Sequence, residues 1–203
     1  MSARLRAAIL LAVAVVAPAG CVRSITLDVS YPESAVNRAM LAAVRPRRVE
    51  IRPVADRRLD TARIGVQPEG DKPIVTSRAV VDIVRDALVS EVQRNGHAVT
   101  ANGADLVLAA DVDEFWLDAV VGHSAAQYVG KVALAVTLVD VRTGETILTR
   151  RYVGIRRQQG PRDAKQVGLE VMDVALSRVM HDLATDPELA DAFGRRVSGV
   201  RNI

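Results

Sequence analysis

The chain has 203 residues, a formal net charge of +3 and only 3% aromatic residues. Two of its cations, Arg4 and Arg6, precede an apolar run, so a mature chain without that segment carries a charge near +1. This balance excludes a nucleic-acid binder. The basic clusters Arg45-Pro46-Arg47-Arg48, Arg57-Arg58, Arg150-Arg151 and Arg156-Arg157 have too few aromatics beside them to stack bases. They read as solvated strand edges or contacts to anionic headgroups.

Residues 1–20 form the first element. The positive n-region is followed by the unbroken apolar stretch Ala7 to Ala17. About a dozen residues are too short for a spanning helix, which needs ~20, so the segment is a signal peptide and the chain is exported. No later apolar run of that length follows.

Cys21 is the only cysteine and cannot close a disulfide within the chain. Gly20-Cys21 at the end of the apolar run resembles the lipobox of bacterial lipoproteins, with Pro18 where that motif prefers leucine. The resemblance implies that Cys21 becomes the N-terminus and carries a diacylglycerol and an acyl chain, a palmitate-type anchor. Ala17-Pro18-Ala19 also fits ordinary signal-peptidase cleavage, which would leave Cys21 a free thiol.

Residues 21–47 read as a tether with a turn at Tyr31-Pro32-Glu33-Ser34 and room for a short helix over 35–44. Residues 48–193 read as one α+β domain, opened by a strand over 48–54 that ends near Pro53. A polar loop, Asp56-Arg57-Arg58, follows, closed by an expected ion pair of Asp56 with Arg57 or Arg58, then Ile64-Gly65 and a Pro/Gly-rich connection over 67–73.

The organising stretch comes next. Val80, Ile83, Val84, Ala87, Leu88 and Val92 recur with a 3.6-residue period and predict an amphipathic helix. Asp82, Arg85, Asp86, Glu91 and Arg94 are expected on its solvated face. Thr76 or Ser77 is expected to cap its start, and Asn95-Gly96 to end it. Residues 97–100 have room for a short strand, turned by Asn102-Gly103 into a long one: from Leu106 the period is two, with Leu106, Leu108, Ala110 and Val112 on one face and a bend near Asp113-Glu114. Strands over 128–141 and 146–156 form a hairpin around Arg142-Thr143-Gly144-Glu145. A second amphipathic helix covers 164–183. Asp186-Pro187 caps a short last helix to Phe193, and residues 194–203 form a basic tail.

The expected order is β-α-β-β-β-α: a small mixed or antiparallel sheet of about four strands with two long helices packed on one face. A right-handed crossover makes the first strand parallel to the long one. The lipobox, Asp56-Arg57-Arg58, Ile64-Gly65, Ile74-Val75-Thr76, the helix ending in Asn95-Gly96, Asn102-Gly103 and the Leu106 strand together resemble the YajG-like bacterial lipoproteins. The architecture is also similar to the auxiliary lipoproteins of ABC transport systems. The resemblance implies an outer-membrane lipoprotein facing the periplasm. Val22 in place of aspartate after the cysteine agrees with outer-membrane sorting.

Catalytic signals are weak. Gly122-His123-Ser124-Ala125-Ala126 lacks the last glycine of a nucleophile elbow and lies between two strands. Asp111 and Asp113 are expected on one strand face and Glu114 on the other, so they do not converge on a metal. His97, His123 and His181 share no ligand spacing. The expectation is a non-enzymatic binding or scaffold module without cofactor or metal, anchored through Cys21, with an envelope protein or a second copy as partner. The candidate contact surface is the half-apolar sheet face formed by Val107, Ala109, Asp111, Asp113, Phe115, Lys131 and Val139, followed by the loops around Asp56 and Gly122. The competing expectation is a transport or lipid-trafficking accessory that holds an acyl chain in a groove between sheet and helices.

Overall fold

The structure, a computed structural model, describes residues 24–32, 40–67, 72–122, 125–161 and 164–195. The signal segment, Cys21, His123, Ser124 and the basic tail beyond Arg195 lie outside them.

The strand β7 (Leu106–Val121) is the spine. Its alternating Val, Leu and Ala residues give it two hydrogen-bonding edges and two faces. Along one edge it receives three short strands in succession, all parallel: β2 (Arg48–Ile51) at Leu106–Leu108, β3 (Ala55–Asp56) at Asp111–Val112, and β4 (Gly65–Val66) at Leu117. Beyond β2 lies β6 (Ala98–Val99); beyond β4 lie β5 (Pro73–Thr76) and then β1 (Ile25–Leu27). Along the other edge β7 pairs antiparallel with β8 (Ala126–Asp140), and β8 with β9 (Thr146–Gly160). The turn into β9 relies on Gly144 at φ 70°.

The class is α+β, but among the described residues the sheet has nine strands, not about four. β6 falls within 97–100, where a short strand was expected; the other extra strands, β1, β3, β4 and β5, are two to four residues long, too short to show a two-residue period. β3 and β4 satisfy unpaired backbone groups along the edge of β7, and β6, β5 and β1 add to the strands beyond it. The stretch expected as a tether enters the fold. β1 pairs with β5, Val29 is 1% exposed, and Leu41, in a 3-10 turn at Leu41–Ala43, is fully buried.

Among the described residues three helices cover one face: α1 (Val80–Arg94), α2 (Ala164–Thr185) and α3 (Pro187–Gly194). The expected apolar stripe of α1 is buried in full. Its start carries no side-chain cap, because Thr76 Oγ1 donates to the Arg78 carbonyl and Ser77 Oγ to Asp28. Gly96, at φ 89°, ends it in the left-handed conformation. Glu91, expected in solvent, is completely buried. Its carboxylate accepts from Tyr31 Oη at 2.5 Å and Asn95 Nδ2 at 2.9 Å, so a segment distant in sequence covers it. Asp186 caps α3 as expected, accepting from Glu188 N at 2.9 Å.

The α2 helix lies very close to the sheet. A Cβ on Gly154 would stand 2.0 Å from the Ala175 carbonyl oxygen, and one on Gly130 would stand 2.7 Å from Val171. Only glycine permits that approach. Side chains then fill the layer: Val84, Leu88, Val112, Leu134, Val136, Val179 and Leu183 are all at 0% exposure.

Candidate functional site

A β-bulge decides what the open face of the sheet presents. Pairing between β7 and β8 shifts register between Val112 and Glu114, leaving Asp113 as the extra residue. Before the shift, Leu106, Leu108, Ala110 and Val112 face the helices; after it, Phe115 and Leu117 do. Phe115 is thus fully buried in the core and leaves the expected contact face, while Glu114 joins Asp111 on the open side. A strict two-residue count across the bulge assigns both residues to the opposite face.

Among the remaining candidates, Val107 is only 4% exposed, and Ala109, Asp111, Asp113, Lys131 and Val139 are half-buried. The carboxylates are paired across strands: Asp111 with Arg57 at 3.7 Å, Glu114 with Lys131 at 2.7 Å, Asp113 with Arg151 at 2.8 Å. The cations come from the residue after β3, from β8 and, across β8, from β9, so the arrangement is a row of ion pairs over the open face. Among the described residues no group of three or more His, Cys, Asp or Glu side chains is placed to hold a metal ion. His97 is buried under Phe193, with ring centroids 5.0 Å apart. Its Nδ1 accepts from Arg47 N at 3.2 Å, and its Nε2 lies 3.1 Å from the Leu41 carbonyl, which makes Nε2 the protonated nitrogen. Burial lowers its pKa below the ordinary histidine range. It is a neutral pin between loop and helix.

Where the open face meets the β3–β4 loop, the surface changes character. Arg58 is turned inward, its side chain 6% exposed, and its guanidinium forms a two-pronged pair with Asp56: Nε to Oδ1 at 2.9 Å and Nη2 to Oδ2 at 2.8 Å. It also donates to the carbonyls of Thr61 at 3.2 Å and Arg63 at 3.0 Å. Burial alone would raise the Asp56 pKa, but the bonds and charge from Arg58 outweigh it and hold the carboxyl below its usual range. One guanidinium thereby fixes the whole loop.

The next residue, Leu59, is fully solvent-exposed on that fixed loop. It lines an open depression with Asp60, Asp113, Glu114 and Trp116. Trp116 is oriented by Nε1 donating to Asp118 Oδ1 at 2.7 Å, and the Arg63 guanidinium lies 5.9 Å from its ring centroid. Of the two arginines expected to pair with Asp56, the structure selects Arg58 and turns Arg57 to Asp111. Leu59 was not singled out in the sequence; its one signal is being the only large apolar residue between Asp56 and Arg63.

The sequence matches an uncharacterized lipoprotein family over residues 37–193. The chain belongs to that family. Such a family implies membrane anchoring, and no helix among the described residues is long and apolar enough to cross a membrane. No curated protein matches this lipoprotein by sequence. Among solved structures, XCC0632 from Xanthomonas campestris superposes with a TM-score of 0.57 at 17% identity, covering 83% of this chain and 96% of that one. At that identity the likeness concerns the fold alone. Weaker similarities, both at TM-score 0.43, join it to the PelC dodecamer of Paraburkholderia phytofirmans (15% identity, 75% and 92% coverage) and a minor lipoprotein of Acinetobacter baumannii (11%, 68% and 89%).

Proposed function

We propose that this lipoprotein is a non-enzymatic binding module of the bacterial envelope, of the YajG-like kind, held by lipid on Cys21 in the outer membrane and facing the periplasm. It engages a protein partner through Leu59 and Trp116 at the edge of the open sheet face. One observation carries the choice of contact: a leucine left wholly in water on a loop that a buried arginine holds rigid. A loop already held in place loses little backbone entropy on docking, which favours the apolar side chain it carries as an anchor. Arg57 and Arg63 beside it are already paired with Asp111 and Asp60, and Asp113 and Glu114 line the same depression, so the matching surface is an apolar recess with a mixed polar rim. Ala109, Asp111, Asp113, Lys131 and Val139 form the flank of this contact.

The lipid-carrier reading needs space between sheet and helices. The approach of α2 at Gly130 and Gly154 and the filled layer beneath it argue against that groove and favour a surface contact. A transport system remains a source of the protein partner. In a crosslinking pull-down from membranes, Leu59→Ser should lose the partner that the parent chain recovers while its melting temperature stays unchanged. Full recovery of every partner by Leu59→Ser would overturn the assigned contact. Fractionation tests the anchor separately: Cys21→Ser should move the protein from the membrane to the soluble fraction.

A further inference from the structure

The described chain enters the sheet soon after Cys21. In the ladder, Ile25 of β1 stands level with Ile74, Gly65, Leu117, Gly130 and Arg156 of successive strands. Four residue steps separate Ile25 from Cys21, and a fully extended chain covers at most ~14 Å in that distance. On the same side of this row β7 continues four residues to Val121, a rise of ~13 Å. A lipidated Cys21 therefore cannot extend appreciably beyond the end of the β7–β8 hairpin.

That end has the surface a bilayer would meet. Val120 is 62% exposed and Val121 37%, two of the few large apolar side chains left in water among the described residues. Around them, at the starts of β5 and α2 and the end of β9, stand the exposed cations Lys72, Lys165 and Arg157, against the exposed acids Asp118 and Glu170. Apolar tips with a basic surround suit an anionic lipid surface.

We infer that the end of the sheet bearing Val120 and Val121 rests on the lipid surface that holds the anchor, so the domain lies against the bilayer. The inference depends on lipidation at Cys21, proposed above. It also leaves Leu59 and Trp116 free toward the compartment.

The test uses the full lipidated chain in vesicles of phosphatidylethanolamine and phosphatidylglycerol. Cys21 is the only native cysteine, and lipidation removes its thiol, so Val120→Cys takes a single environment-sensitive dye; Gln127→Cys gives a second site at the same end. Thr143→Cys, in the turn at the opposite end of β8, is the reference. The Val120 and Gln127 labels should be quenched by a lipid-attached quencher and be several-fold less accessible to iodide than the Thr143 label. Equal iodide access at both ends in floating vesicles would overturn this inference while leaving the anchor intact. Protection from iodide without quenching by lipid means contact between protein copies and also overturns it. Failure of the unlabelled chain to float removes the anchor, and the inference with it.

Discussion

The two faces of the sheet are built from the same strands, alternate residues pointing each way, yet they hold the molecule together by different means. The helix side is closed by shape. Glycines at 130 and 154 admit the α2 backbone, and Leu134, Val136 and Val179 fill what remains. The open side is closed by charge, with Arg57, Lys131 and Arg151 each bridging to a carboxylate on β7. Burial of a leucine contributes about 1.5–3 kcal/mol, whereas an exposed ion pair contributes about 0–1 kcal/mol. The first face thus sets stability. The second can vary in composition without unfolding the domain, which suits a surface that meets partners.

The largest expected effect tests the closed face at its tightest point. Gly154→Val places its Cβ against the Ala175 carbonyl and should cost about 3 kcal/mol or more, read as a shift of the urea midpoint. Leu88→Ala, in the centre of the α1 stripe, should cost about 2–5 kcal/mol by the same measurement. A small loss at either position would mean that helix and sheet pack less closely than described.

A third measurement uses pH at the margin of the closed face. His97 is held neutral, with its pKa lowered from 6.5 by burial, so the unfolded chain takes up a proton before the folded one does. Its contribution to stability is complete above pH 6.5 and is lost as pH falls through that value toward the folded-state pKa. Asp56 and Asp105, whose pKa values are lowered from 3.8, lose their contributions only at more acidic pH. Between pH 7 and 5, denaturant unfolding should show a steeper decline for the parent chain than for His97→Gln, which keeps a donor and an acceptor but does not titrate. Parallel declines would assign the slope to other groups.

The smallest expected effect belongs to the open face. Arg151→Ala removes the partner of Asp113 and should change stability by less than about 1 kcal/mol, diminishing further in high salt. A loss comparable to that of Leu88→Ala would erase the distinction between the faces.

Long, regular elements were legible because their signal is local. The α1 stripe from Val80 to Val92, the long β7 strand, the hairpin around Gly144 and the Asp186 cap each follow from residues within one turn or one strand of each other. An ion pair of Asp56 with Arg57 or Arg58 belongs with them, since all three lie within three residues; the choice of Arg58 does not. What the tertiary structure alone decided depends on partners far away in the chain. Glu91 follows charged neighbours on a helix, but Tyr31 covers it from sixty residues upstream. β1 and β3 are strands only because β5 and β7 have edges to fill. The bulge at Asp113 arises from the register that β8 imposes, and it alone sends Phe115 inward and Glu114 outward. Leu59 becomes notable only once Arg58 is seen folded beneath it. Periodicity records which residues share a face; which face is covered, and by what, is settled by contacts that no local pattern encodes.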